Sequence, residues 1–249
     1  MNRRNQIRMN DEEIRAFLEE QRKLQVATID HDGWPHLVAM WYVLINDEVV
    51  FWTYARSQKA INLRRDPRVV GTLVITVIYN VFGWPFTSMI PVIGQDSLEL
   101  GASGIGILAS MDGIGAFCGA LLIAFFARPV HYTRLYVGGV IGYLVMLIVF
   151  ALAPSVPLAG AALLLTGLTG SAFSVMQATL IYLAAPAEMR SRMYGVLSVC
   201  IGVGPLGFLG LGLLAEAIGA PLATALSGVV GLAALVVARR WWGRLALPL

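Results

Sequence analysis

The chain has 249 residues, 57% of them hydrophobic and only 13% charged; soluble domains carry about 25% charged residues, so disorder is excluded and a purely soluble globule all but excluded. A net charge of +3, with no basic run beyond paired arginines, gives no support to nucleic-acid binding. Residues 1–71 hold 11 of the 18 Lys and Arg and 10 of the 15 Asp and Glu, so the first part reads as soluble and residues 72–249 as membrane.

In chain order, the residues before Asp11 are polar and no apolar stretch follows them, so no secretory signal is expected. Asn10 is placed to cap a helix whose first turn carries Asp11, Glu12 and Glu13, with Ile14, Phe17 and Leu18 as its apolar stripe. The period then changes. Leu24–Ile29, Pro35–Ile45 and Val49–Tyr54 read as strands, joined by turns at Asp30–Gly33 and Asn46–Asp47. Ser57–Arg65 reads as a helix capped by Ser57. Thr53, Arg56, Ser57 and Lys59 thus cluster where a strand passes into a helix N-terminus, which suits an anion. By residue type alone the cluster reads more readily as a solvated basic strand end with a Ser cap. His36 is expected to pack beside Trp41 in its strand.

This stretch is similar to the N-terminal half of the pyridoxamine 5′-phosphate oxidase-like split barrels that use FMN or a deazaflavin. The resemblance rests on Val26–Ile29, Asp32, Gly33, Pro35 and His36, Met40–Tyr42, Phe51–Lys59 and Asn62–Arg68. It implies that Thr53, Arg56, Ser57 and Lys59 bind the cofactor phosphate. The family's barrel runs to twice this length, and three strands leave it open. No catalytic or metal-binding residue is assigned.

Beyond Gly71, six stretches are long and apolar enough to cross a bilayer as helices: Thr72–Ile93, Gly104–Ala127, Leu135–Ala153, Leu158–Ala184, Met193–Ile218 and Pro221–Ala238. The fold class is therefore a mainly α-helical integral membrane domain over 72–249, preceded by a small α+β segment over 1–71. Asp96 and Glu99 lie in one connection, and Pro154–Pro157 and Gly219–Ala220 are uncharged. The other connections and the last span's end carry Arg128, Arg134, Arg190, Arg192, Arg239, Arg240 and Arg244. The positive-inside rule makes that basic side, and both termini, cytoplasmic; the expected place is a bacterial inner membrane. Cys118 and Cys200 sit in apolar runs and read as packing residues.

Small residues four apart, Gly115 and Gly119, Gly138 and Gly142, Gly167 and Ser171, suggest close helix packing. Gly204, Gly207, Gly210 and Gly212 crowd one span beside Pro205, where bending is expected. Asp112 lies near mid-depth of the second span, where a charge costs roughly 2.5–3.5 kcal/mol. It is the candidate proton-accepting group, with a protonated Asp held between helices as the other reading. Asn80, Gln177 and Thr179 are candidate cavity-lining groups, or structural hydrogen-bonders.

Residues 72–249 resemble the C-terminal six-helix half of a major facilitator superfamily transporter, of the bacterial drug- or siderophore-exporter type. The resemblance is carried by Pro186, Arg190, Arg192 and Gly195, which match the family's loop P-x-x-x-R-G-R-x-x-G with Ser191 in place of the glycine. Asn80, Gly83 and Pro85, and the ending Leu213–Gly219, fit as well. The basic stretch Arg128–Arg134 stands where the family repeats an acid-containing motif, and the acid is missing. The resemblance implies small-molecule efflux, proton-coupled, with the substrate bound between two six-helix halves. The expected partners are the lipid bilayer, a small-molecule substrate, and a second half supplied by a homodimer or another chain. Two other readings stand beside this one: a membrane-tethered FMN or deazaflavin oxidoreductase, and a chimera of two interrupted families with neither activity.

Overall fold

The computed structural model describes residues 9–21, 23–29, 34–45, 48–51, 67–185, 190–242 and 245. The chain divides into two compact units, Met1–Asp66 and Pro67–Leu249.

In the first unit, α1 (Asp11–Glu20) starts with a capping box. The Asn10 side chain accepts from the Glu13 amide and the Glu13 carboxylate accepts from the Asn10 amide, both at 2.8 Å, so two orphan donors are satisfied reciprocally. Strands β1 (Lys23–Ile29), β2 (Pro35–Ile45) and β3 (Glu48–Phe51) form an antiparallel meander in that order. The register runs from Lys23 opposite Trp41 to Ile29 opposite Pro35, and from Tyr42 opposite Phe51 to Ile45 opposite Glu48. Tyr42 ties helix to sheet by donating its hydroxyl to the Leu18 carbonyl at 2.7 Å. Strand side chains alternate between faces, so His36 shares the face of buried Met40, whereas Trp41 points to the other face with Leu37 and Val43. The expectation that His36 packs beside Trp41 is thus corrected by the two-residue period. The residues of the third strand beyond Phe51, both turns and the helix expected at Ser57–Arg65 lie outside the described residues.

Among its described residues the second unit holds six helical stretches long and apolar enough to cross a membrane: Val69–Asp96, Ala102–Phe126, Pro129–Ala151, Val156–Ala184, Met193–Ile218 and Ala220–Val237. The first is not one regular helix. It comprises α2 (Pro67–Ile78), a π-helical turn at Tyr79–Gly83, a 3-10 turn at Trp84–Ser88 and α3 (Met89–Asp96). The second is α4 (Ala102–Phe126), the third α5 (Tyr132–Ala151) after a 3-10 turn at Pro129–His131, and the fourth α6 (Val156–Ala184). The fifth is broken into α7 (Arg190–Ile201) and α8 (Gly204–Ile218), and the sixth is α9 (Ala220–Val237), followed by the short α10 (Arg239–Trp242).

Lipid tails are as apolar as leucine, so packing rather than water exclusion must hold the helices together. Small residues make that packing. At the α4–α6 crossing, a Cβ added to Gly115 would fall on the Leu164 carbonyl, and one added to Gly167 on the Asp112 carbonyl. At the α5–α6 crossing the close pair is Gly139 and Gly142, against Thr169 and Ala172. Gly138 faces open space, so the expected pair Gly138 and Gly142 is half corrected: a helix turns 100° per residue, and Gly139 takes the contact. Around these crossings Ile75, Phe86, Leu108, Tyr136, Leu144, Leu147, Phe150 and Leu163 are at most 2% exposed. Gly219 alone joins α8 to α9 with φ +87°, a left-handed conformation that glycine adopts without strain.

Candidate functional site

The first span carries its polar groups four apart. Thr72, Thr76 and Asn80 therefore stack on one stripe of the helix, and all three are buried. Two other spans meet that stripe. Tyr136 of α5 donates its hydroxyl to the Thr72 carbonyl at 2.8 Å and lies 3.1 Å from Thr76 Oγ1. Gln177 of α6 donates Nε2 to Thr76 Oγ1 at 2.9 Å. Thr76 in turn donates to the Thr72 carbonyl at 2.9 Å, and Asn80 donates Nδ2 to the Thr76 carbonyl at 2.9 Å. One hydroxyl thus receives the Gln177 proton and spends its own on the Thr72 carbonyl, so the donor count closes without an orphan at Thr76. In a low-dielectric interior such a set rigidifies the three helices it links.

Above this network lies an aromatic column from the same spans. Phe173 stacks on Tyr79 at 3.8 Å between centroids and on Tyr136 at 5.6 Å. Tyr79 meets Tyr143 at 4.6 Å, and Phe86 stands edge-on to Tyr143 and Phe150 at 5.6 and 5.9 Å. Tyr79 and Phe86 fall in the irregular part of the first span. Pro85 has no amide hydrogen to give to the Val81 carbonyl. Gly207 of α8 packs on that carbonyl, and Ser227 of α9 donates its hydroxyl to the next one, Phe82, at 2.9 Å. The break in the first span is therefore filled by the fifth and sixth spans.

Of the expected cavity residues, Asn80 and Gln177 are brought together, with Thr76 between them. Thr179 is turned to its own helix, donating to the Val175 carbonyl at 2.8 Å. Asp112 lies on α4, partly buried, and its buried Oδ1 has no hydrogen-bond partner among the described residues. It belongs to the second span, apart from the Thr76 network. Sequence reasoning missed Thr76 and Tyr136; the spacing 72, 76, 80 in an otherwise apolar span was the available signal.

The expected loop motif is partly visible. Arg190 lays its guanidinium over the Tyr182 ring at 3.9 Å, while its buried Nε has no hydrogen-bond partner among the described residues. Gly195 faces open space. Pro186 and the Arg192 side chain lie outside the described residues. So do Thr53, Arg56, Ser57 and Lys59, the expected phosphate cluster. Among the described residues no group of His, Cys, Asp or Glu is arranged to hold a metal ion. At the far end of the bundle a crevice of about 420 Å³ opens between the first, fifth and sixth spans, lined by Asp96, Glu216 and apolar neighbours. A second, apolar groove of about 370 Å³ runs between α4 and α6 past Ile107 and Leu164.

Two family models match. Residues 10–87 match pyridoxamine 5′-phosphate oxidase, and residues 63–246 match the Major Facilitator Superfamily, so the two matches overlap at the first span. A search of curated proteins gives no match.

Proposed function

Because the chain belongs to the Major Facilitator Superfamily over residues 63–246, and is a multi-pass membrane transporter of that type, we propose that it exports small molecules in exchange for protons. The observation that carries this reading is Asp112: a carboxylate in an apolar span with one oxygen buried and unpartnered among the described residues. Such a group is costly in a membrane unless it is neutralised by a proton or faces a polar pathway. Its carbonyl abuts Gly167 at the α4–α6 crossing, so a change of charge at Asp112 bears on the packing of α4 against α6. Asn80 and Gln177 are the groups proposed to meet a substrate, and Thr179 to line the same passage lower down.

The transport unit is proposed to work against a second six-helix body, as a homodimer or with another half. The second and fifth spans are the least covered, with 17% and 22% of their apolar windows buried against 56% for the first. On those same spans Gly106, Gly113, Gly210 and Gly212 face open space, where another backbone can approach closely. With the basic connections placed inside, the protein sits in a cell inner membrane with both termini cytoplasmic. Substrate-dependent flux in proteoliposomes, driven by an imposed pH gradient and screened with lipophilic drugs and iron chelators, tests the reading. Flux that ignores the gradient, or none with any compound, overturns it.

A second reading is favoured by the match of residues 10–87: the first unit binds FMN or a deazaflavin at Thr53, Arg56, Ser57 and Lys59. Purified protein with a flavin-type absorbance would support it. A fusion of two interrupted families predicts neither flux nor bound flavin.

A further inference from the structure

We propose that the open face of the three-stranded sheet docks on the surface of the bilayer that the chain crosses, with Leu37, Trp41 and Val43 set into the lipid headgroup region. The argument starts from β2. Its eleven residues, Pro35–Ile45, include no Lys, Arg, Asp or Glu. A strand that shows one face to water alternates apolar with polar, whereas a run apolar on both faces suits a strand covered on both. One cover is present in the first unit. On the face of Val38, Met40 and Tyr42, Met40 is buried and Tyr42 reaches the Leu18 carbonyl of α1.

The other face is open. Leu37, Trp41, Val43 and Ile45 are between 51% and 67% exposed. Val50 of β3 stands opposite Val43 and extends the patch across the sheet. A contiguous apolar surface of this kind marks an interaction site.

Chain continuity selects the occupant. The first unit ends at Asp66, and the first span begins at Val69. The 15 residues 52–66 can reach at most about 55 Å. A bilayer is therefore held within reach of the sheet at all times, whereas a separate protein has to arrive by diffusion. The side chains fit that neighbour. Trp41 dominates the face, and indoles are enriched at the level of lipid headgroups. Lys23 pairs with Trp41 in register and places Nζ 5.3 Å from the ring centroid. A lysine stem lies along apolar surface while its ammonium stays in water. Glu48 stands opposite Ile45 at the far corner, and the two turns carry Asp30, Asp32 and Asp47. Charge thus gives no preference for an anionic leaflet. Apolar insertion drives the contact, and a zwitterionic lipid suffices. The docking needs the spans to be inserted and is independent of transport.

The test uses the full chain with Cys118→Ala and Cys200→Ala in phosphatidylcholine nanodiscs, which leave both membrane faces accessible. Val43→Cys carries an environment-sensitive fluorophore. Glu19→Cys, on the exposed side of α1, carries the same label as the reference. Lipid bearing a nitroxide near its headgroup should quench the label at position 43 several-fold more than the one at 19. Aqueous iodide should do the reverse. Leu37→Gln with Trp41→Gln, both on the open face, should lower the lipid quenching at position 43 several-fold. Iodide access at 43 equal to that at 19 overturns the proposal, because the face then lies in water. Protection from iodide without nitroxide quenching overturns it too, because protein then covers the face, whether a second copy or the rest of the chain. If the Val43→Cys chain does not insert, Leu37→Cys takes its place as the labelled position, with Trp41→Gln alone as the disrupting change.

Discussion

Thr76→Val keeps the shape of a fully buried side chain and removes its hydroxyl. Two hydrogen bonds go with it, the one from Gln177 Nε2 and the one to the Thr72 carbonyl, both 2.9 Å. The Thr72 carbonyl keeps its bond from Tyr136 at 2.8 Å, so the loss falls mainly on Gln177. Gln177 is only 7% exposed, and its amide is left without this acceptor. A stranded buried donor costs about 1–3 kcal/mol in general. In membranes single side-chain bonds average about 0.6 and reach about 1.7 kcal/mol, because the separated helices also find partners. The expected destabilisation of Thr76→Val is therefore about 1–2 kcal/mol. Gln177→Leu removes the donor instead and leaves Thr76 its own bond to Thr72, so it should cost less, about 0.5–1 kcal/mol. The double variant strands nothing. It should be more stable than the sum of the singles predicts, by about 0.6–1.7 kcal/mol. Reversible unfolding of the full chain in mixed detergent micelles, followed by circular dichroism, measures the cycle. Additivity within about 0.3–0.5 kcal/mol would refute the claim that these two side chains share a bond.

Gly167→Val should separate α4 from α6 and cost about 3 kcal/mol or more in the same assay, because its side chain would occupy the Asp112 carbonyl. Gly138→Ala, which adds a methyl in open space, should be neutral or stabilise by up to about 1 kcal/mol. Ser227→Ala removes the bond to the Phe82 carbonyl and should cost about 0.6–1.7 kcal/mol, read as a lower unfolding midpoint. Asp112→Asn should still insert and abolish the pH-gradient dependence of flux; gradient-driven flux at the original rate would remove Asp112 from the coupling role.

Hydropathy located every span to within a few residues, because the cost of leaving a peptide group unpaired in hydrocarbon forces each apolar stretch into a helix. The second strand, Pro35–Ile45, was legible as an apolar run rich in β-branched and aromatic residues, bounded by turn residues at Asp30–Gly33 and Asn46–Asp47. What hydropathy does not carry is rotation. These spans are apolar all round, so no stripe says which side meets a neighbour, and Gly139 was passed over for Gly138. The polar site shows the same limit. Asn80 and Gln177 stood out as single amides, but Thr76 meets Gln177 only once α2 is turned toward α6. Backbone irregularity was half legible. Pro85 and Pro205 marked places where a helical bond must be missing, yet the π-helical turn at Tyr79–Gly83 depends on Gly207 and Ser227 arriving from other spans. The phosphate cluster at Thr53–Lys59 was legible as a motif through resemblance alone, and it lies outside the described residues.

The most direct test of the account is the sidedness of the connections. Single cysteines placed at Ser97, Ser155 and Gly219 in a chain with Cys118→Ala and Cys200→Ala should react with a membrane-impermeant maleimide on intact cells. Cysteines at His131, Ser191 and Arg239 should react only after permeabilisation. Labelling of both sets from the same side would contradict six membrane crossings with the basic ends inside.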